Sequence, residues 1–108
     1  MNSLLVTVLA KQDLRDIKQY IACELASPVA AVKIVSRIVN KIEGLTEHPC
    51  IGAPLSSVAD VETDYRFLVC GNYLVFYRYS NEIVRVMRVL YGKRDYLRVL
   101  FGHIEDRE

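Results

Sequence analysis

Tryptophan is absent from the 108 residues, histidine occurs twice, cysteine and proline three times each, and glycine five times. The three cysteines, Cys23, Cys50 and Cys70, stand far apart and form no CxxC pair, which excludes a disulfide framework and a zinc site of ordinary spacing. Free thiols and no bound metal are expected. So few prolines and glycines, with apolar residues spread along the chain, exclude disorder and collagen-like repetition. No apolar run approaches the roughly 18 residues of a membrane span, and no basic stretch precedes Leu4-Leu5-Val6. Neither a membrane anchor nor a secretory leader is expected, and the chain reads as cytoplasmic. GxGxxG, a P-loop, GxSxG and HExxH are all missing, so dinucleotide, nucleoside-triphosphate, serine-hydrolase and zinc-protease chemistry lack their usual parts. No cofactor is expected. His48 and His103 fall at a helix end and near the chain terminus, where a lone histidine is structural or solvated.

What is present suits one small domain over residues 1–108. Half of the chain (52%) is hydrophobic and 25% is charged, enough for a single core at this length without staples. The net charge of +1 hides an asymmetry. Residues 1–63 carry six Lys/Arg against seven Asp/Glu, residues 64–98 seven against three, and residues 99–108 one against three. A basic C-terminal half is the footprint of a surface that meets phosphates or an acidic partner, or else a solvated sheet face short of acids.

Residues 4–9 form a short apolar, β-branched run placed like a buried first strand. Leu14, Ile17, Ile21 and Leu25 then recur at steps of three and four, predicting a first helix over about 11–25. Ser27-Pro28 opens a second helix: the hydroxyl can accept from a first-turn N–H, and proline sits where a missing N–H costs nothing. That helix ends before Pro49. Residues 49–64 lack periodicity and read as a loop. Strand signals return at 65–70, 73–79 and 83–91, separated by Gly71-Asn72 and Ser80-Asn81-Glu82. Tyr96 to Phe101 suits a short terminal helix before a polar tail, the alternative being a flexible tail over 99–108. The expected fold is α+β: an antiparallel sheet of about four strands on a helical hairpin, in the order β-α-α-β-β-β, with the opposite sheet face left bare.

The chemistry-bearing residues are arginines and tyrosines interleaved over that sheet. A guanidinium grips phosphate bidentately, and a phenol stacks on a base or exchanges a proton, whereas the same residues also pack and snorkel at sheet surfaces. Alternation along 73–79 predicts that Leu74 and Phe76 face the helices while Tyr73, Val75, Tyr77 and Tyr79 face outward. The pattern of 83–91 assigns no face.

The order of several short motifs resembles the RelE/ParE superfamily of toxins from bacterial type II toxin–antitoxin modules, over about residues 4–97. They are Asp13-Leu14 with Ile17 and Tyr20-Ile21-Ala22, Ser27-Pro28 with Ala30-Ala31, Leu45 with His48-Pro49 and Ile51-Gly52, Tyr65-Arg66, Gly71 to Arg78, and Arg88 to Asp95. The resemblance implies a growth-arresting toxin silenced by a cognate antitoxin in a hetero-oligomer. Val99, Leu100 and Phe101 then either pack as the last helix or form part of an antitoxin groove. RelE-like members cut mRNA on the ribosome; ParE-like members trap DNA gyrase on broken DNA. The Ser-Pro-x-Ala-Ala opening, the Pro-x-Ile-Gly loop and the Asn-Tyr-Leu-Val-Phe-Tyr-Arg strand look closer to the ParE branch. A RelE-like nuclease would draw catalytic groups from Arg66, Tyr77, Arg94 and Tyr96. For a macromolecular target the implied contact set is Arg66, Tyr73, Tyr77, Arg78, Arg88, Lys93 and Arg94. Tyr73 stands where the nucleases carry an RNA-contacting arginine, and neither histidine lies in the strand motif. A third alternative is an RNA- or partner-binding protein that has lost toxicity.

Overall fold

The structure is a computed structural model that describes residues 2–102. Met1, and His103 with the rest of the polar tail to Glu108, lie outside the described residues. The chain runs β1 (Ser3–Val6), α1 (Val8–Gln19), a π-helical turn (Tyr20–Glu24), α2 (Pro28–Gly44), β2 (Ala53–Pro54), a 3-10 turn (Leu55–Ser57), β3 (Arg66–Cys70), β4 (Tyr73–Ser80), β5 (Ile83–Tyr91) and α3 (Tyr96–Phe101). The α+β class, the helical hairpin and the β3-β4-β5 meander match the expectation.

The sheet has five strands in the order β1-β5-β4-β3-β2. The meander pairs antiparallel, whereas β1 joins the far side of β5 in parallel, Ser3 opposite Ile83 and Val6 opposite Val86. The fifth strand is the two-residue β2, which lies inside the stretch read as loop and pairs with β3.

Both helices start on side-chain caps. Thr7 accepts from the Ala10 N–H, so β1 stops at Val6 and α1 begins three residues earlier than periodicity suggests. Ser27 accepts from the Ala30 N–H, with Pro28 in the first turn, as Ser27-Pro28 predicted. At Tyr20 the first helix widens. The Leu25 N–H bonds to the Tyr20 carbonyl, an i to i+5 link, and this extra residue per turn rotates Leu25 off the core stripe to 57% exposure. Ala26, at φ 52°, reverses the chain into α2.

The core between helices and sheet takes Ile17 and Ile21 from the first helix, Ala31, Ile38 and Ile42 from α2, and Val75, Tyr77, Val84, Val86 and Val89 from the sheet. This corrects the expected faces of β4: Val75 and Tyr77 are buried under the helices, with Tyr73 and Tyr79 packed beside them, and Leu74 and Phe76 point the other way. The second face is not bare. Leu55, Phe76 and Leu90 form a smaller core roofed by Ala59, Val61 and Tyr65 of the long loop and by the apolar side chains of α3. With cover on both sides, β4 is apolar on both faces, and period-two alternation carries no direction. Val99, Leu100 and Phe101 pack into that roof as part of α3, the last-helix alternative of the sequence reading.

Between Phe76 and Tyr77 the β4–β5 register shifts. Phe76 faces Arg88 and Tyr77 faces Val86, leaving Met87 as an extra residue on β5. Val84 and Val86 before the bulge and Val89 after it all reach the helix side.

Candidate functional site

Among the described residues the edge of β5 beyond Val86 has no strand partner, and the start of α1 closes it. Thr7 donates through its hydroxyl to the Met87 carbonyl at 3.1 Å. Asp13 accepts the Val89 N–H at 2.9 Å and holds the Arg88 guanidinium bidentately at 2.7 and 2.8 Å. Asp13 is 7% exposed, and its hydrogen bonds hold the pKa of Arg88 above the ordinary arginine value. Arg88 is thereby consumed in structure.

Alongside this edge runs a groove of about 500 Å³ between the first helix, its π turn, α2 and the ends of β4 and β5. Ile17, Ile21, Val89 and Leu90 contribute its apolar lining; Asp16 and Arg94 bring opposite charges. Tyr20, Leu25 and Tyr91, each 44% exposed or more, also line it. Tyr73 meets Tyr91 edge to face at 5.9 Å, and burial, with Tyr20 and Tyr91 nearby, raises its pKa. The π turn is what brings Tyr20 and Leu25 here. Sequence periodicity set Leu25 on the core stripe and left Tyr20 off it, because it counts every turn of the helix as ordinary.

The remaining candidates sit elsewhere. Tyr77 is fully buried; its hydroxyl donates to the Pro49 carbonyl at 2.7 Å and accepts the Gly52 N–H at 2.9 Å. A Cβ on Gly52 would stand 2.6 Å from that hydroxyl and 2.7 Å from the Phe67 carbonyl oxygen, so only glycine allows the approach. Arg66 donates to the Gly52 and Cys50 carbonyls at 2.6 and 3.3 Å, tying the same loop. Arg78 pairs with Asp64 at 2.9 Å and lies 5.6 Å from the Tyr65 ring centroid; the pair lowers the Asp64 pKa and raises that of Arg78. Tyr96 packs on Phe76 in the second core, ring centroids 5.3 Å apart. Lys93 and Arg94 are exposed, without a hydrogen bond or ion pair among the described residues. Asp95 instead caps α3 and bonds Arg98.

Apart from Lys93, which is exposed beside Arg94 and does not line the groove, the sequence-derived set divides into three places. Tyr73 and Arg94 share the groove, with Arg88 held beside it through Asp13; Arg66 and Tyr77 meet at the Gly52 loop; Arg78 and Tyr96 belong to the second face. Among the described residues no three His, Cys, Asp or Glu side chains gather as metal ligands. Cys23, Cys50 and Cys70 are free thiols. No helix among the described residues is long and apolar enough to cross a membrane.

Comparison with known proteins bears on this architecture. The ParE toxin family, described as the ParE toxin of the type II toxin–antitoxin system parDE, matches residues 4–96. No curated protein matches the chain at a significant level. Among solved structures, a chain from the chromosomal ParDE toxin–antitoxin system of P. aeruginosa superposes with a TM-score of 0.72 at 24% identity, covering 86% of this chain and 98% of that one. A chain of the toxin–antitoxin complex RelBE2 from Mycobacterium tuberculosis superposes with a TM-score of 0.61 at 20% identity, covering 83% and 96%. At such identities these two share the fold. The family match over residues 4–96 goes further: the chain belongs to the ParE toxin family of type II toxin–antitoxin systems.

Proposed function

We propose that the chain arrests growth by binding DNA gyrase and not by cutting RNA. The observation that carries this reading is the dispersal of Arg66, Tyr77, Arg94 and Tyr96. RNA cleavage needs a proton-transfer group within hydrogen-bond reach of the reacting atoms, together with cations around one phosphate. Tyr77 is buried with its hydroxyl engaged twice, and Tyr96 packs in the second core. A toxin that acts by occupying a surface on its target needs no such cluster. Fold alone does not choose between branches, so the weight rests on the site and on the ParE family match.

The groove is the surface we assign to the silencing partner. An apolar trough with Tyr20, Leu25 and Tyr91 exposed suits the apolar face of an amphipathic helix from a cognate antitoxin. Arg94, which also lines the groove, is then covered in the silenced complex. Lys93 and Arg94 contribute charge to the target contact when the groove is empty.

Purified protein is incubated with gyrase and supercoiled plasmid, and cleavage complexes are scored after detergent and protease; programmed ribosomes are assayed in parallel by primer extension. Cleavage complexes with intact messages are expected. New codon-boundary cuts without cleavage complexes would replace this reading with the nuclease one, and neither effect would leave a partner-binding protein without toxicity. Arg94→Ala is expected to weaken gyrase trapping at least about tenfold while shifting stability by no more than about 0.5 kcal/mol, as for an exposed side chain without partners among the described residues. Equal losses of stability and trapping would make the arginine structural.

A further inference from the structure

We propose that the outer face of α2 binds the phosphodiester backbone of nucleic acid. This stands apart from the gyrase reading, since it uses a different surface. Lys33, Arg37 and Lys41 are all exposed and recur at steps of four, so they form one oblique stripe along the helix. None of them lines the groove. Lys33 and Arg37 have no hydrogen bond or ion pair among the described residues; Lys41 makes one long contact, 3.4 Å, to the Val69 carbonyl of β3.

The charge is uncompensated within the element. From Pro28 to Gly44 the only carboxylate is Glu43. At about 100° per residue it falls on the opposite flank from Lys41. Surface cations of helical proteins are commonly interleaved with acids at i±4; here every position four residues from a cation along the stripe is another cation, an apolar residue or Leu45. Between Val29 and Lys41 the other exposed side chains, Val29, Val32, Ser36 and Asn40, add no negative charge.

Spacing fits a polyanion. Residues four apart stand about 6 Å apart along the axis, so the stripe spans about 12 Å. A duplex strand presents one phosphate per about 3.4 Å of its axis, so three cations cover three or four consecutive phosphates. The ligand defined by this chemistry is the backbone, with no base reading: among the described side chains of the stripe, only ammonium and guanidinium groups reach out.

The test is fluorescence anisotropy of the full chain with a labelled DNA duplex of about two turns, and with an RNA duplex of the same sequence, across salt. Three phosphate contacts predict a slope of log affinity against log salt near −2.7, about 40-fold weaker binding at 200 mM than at 50 mM salt. Arg37→Ala is expected to reduce the slope by about one. The triple variant Lys33→Glu, Arg37→Glu, Lys41→Glu is expected to abolish binding while keeping the wild-type melting temperature. If reversal disturbs folding, the triple glutamine variant takes its place. Tighter binding to DNA or to RNA assigns the source of the backbone, and either supports the proposal. Undiminished binding by the folded triple variant overturns it, as does absence of binding at 50 mM salt. So does salt-sensitive binding to anionic phospholipid vesicles alone.

Discussion

Tyr77 shows how one side chain can be core and polar anchor together. It is fully buried, and its hydroxyl joins the Pro49 carbonyl to the Gly52 N–H, so the loop after α2 is fastened to the sheet through a phenol. Tyr77→Phe keeps the packing and leaves the two backbone groups without that partner, a cost of about 1–3 kcal/mol. Urea unfolding measures it; a change below about 0.5 kcal/mol would mean that water or loop movement replaces the phenol. Burial also raises the Tyr77 pKa, outweighing the Gly52 bond and the Arg66 charge that lower it. A raised folded-state value means that the fold holds this proton more tightly than the unfolded chain does. Its stability contribution is complete below about pH 10 and is lost as pH rises through the raised value. Tyr73 is raised for the same first reason. The wild-type melting temperature is therefore expected to fall on the alkaline side of about pH 10, less steeply in Tyr77→Phe, and least in the Tyr73→Phe, Tyr77→Phe double variant. Identical alkaline slopes in all three would contradict this.

Among the elements, the β4–β5 hairpin carries a visible local conflict. Ser80 pairs with Ile83, so the loop is the two residues Asn81 and Glu82, at φ 51° and 61°. Two-residue loops with both φ values positive favour Asn-Gly, because a β-carbon in the left-handed region costs about 1–2 kcal/mol. Asparagine suits the first position; glutamate does not suit the second. Glu82→Gly is expected to raise stability by about 0.5–1 kcal/mol after the extra unfolded-state entropy of glycine is subtracted, read from the urea midpoint. A decrease would mean that the Glu82 side chain contributes more than its backbone strain removes. The same scale separates what the sequence pattern conveys from what it does not. Ser27-Pro28 located the start of α2 because a cap is a local interaction between neighbours, and the turn residues located all three strands of the meander. The faces of β5 stayed unreadable because Met87 is an inserted residue that inverts the alternation, and a bulge has no local signature of its own. The tyrosines of β4 were aimed outward because nothing nearby in sequence reveals the roof that α3 and residues 55–65 lay over Phe76. Of the groove, Tyr73 and Arg94 were legible as residue types, whereas the π turn that adds Tyr20 and Leu25 depends on tertiary packing.

At the scale of the whole molecule, the sheet is a partition between two unequal cores, and the helical layer must be registered against it from one side only. Contacts between apolar side chains are forgiving about sliding; a bidentate ion pair is not. Asp13, one turn and a half into α1, reaches both the Arg88 guanidinium and the Val89 N–H at the bulge, which fixes the helix along the open edge of β5 and sets the width of the groove beside it. Removing one partner of such a pair leaves the other charge and a backbone donor unsatisfied, which costs 3–5 kcal/mol for fully buried pairs. Arg88 keeps 19% of its side chain in solvent, so Asp13→Ala is expected near the lower end, about 3 kcal/mol. The Asp13→Ala, Arg88→Met double variant should recover part of that loss, since a buried pair replaced on both sides by apolar groups is often close to neutral. Recovery stays incomplete because the Val89 N–H still lacks its acceptor. Urea unfolding of the two single variants and the double gives the coupling energy directly. A value near zero would mean that Arg88 turns to solvent when Asp13 is lost, and that the apolar core alone registers the helices on the sheet.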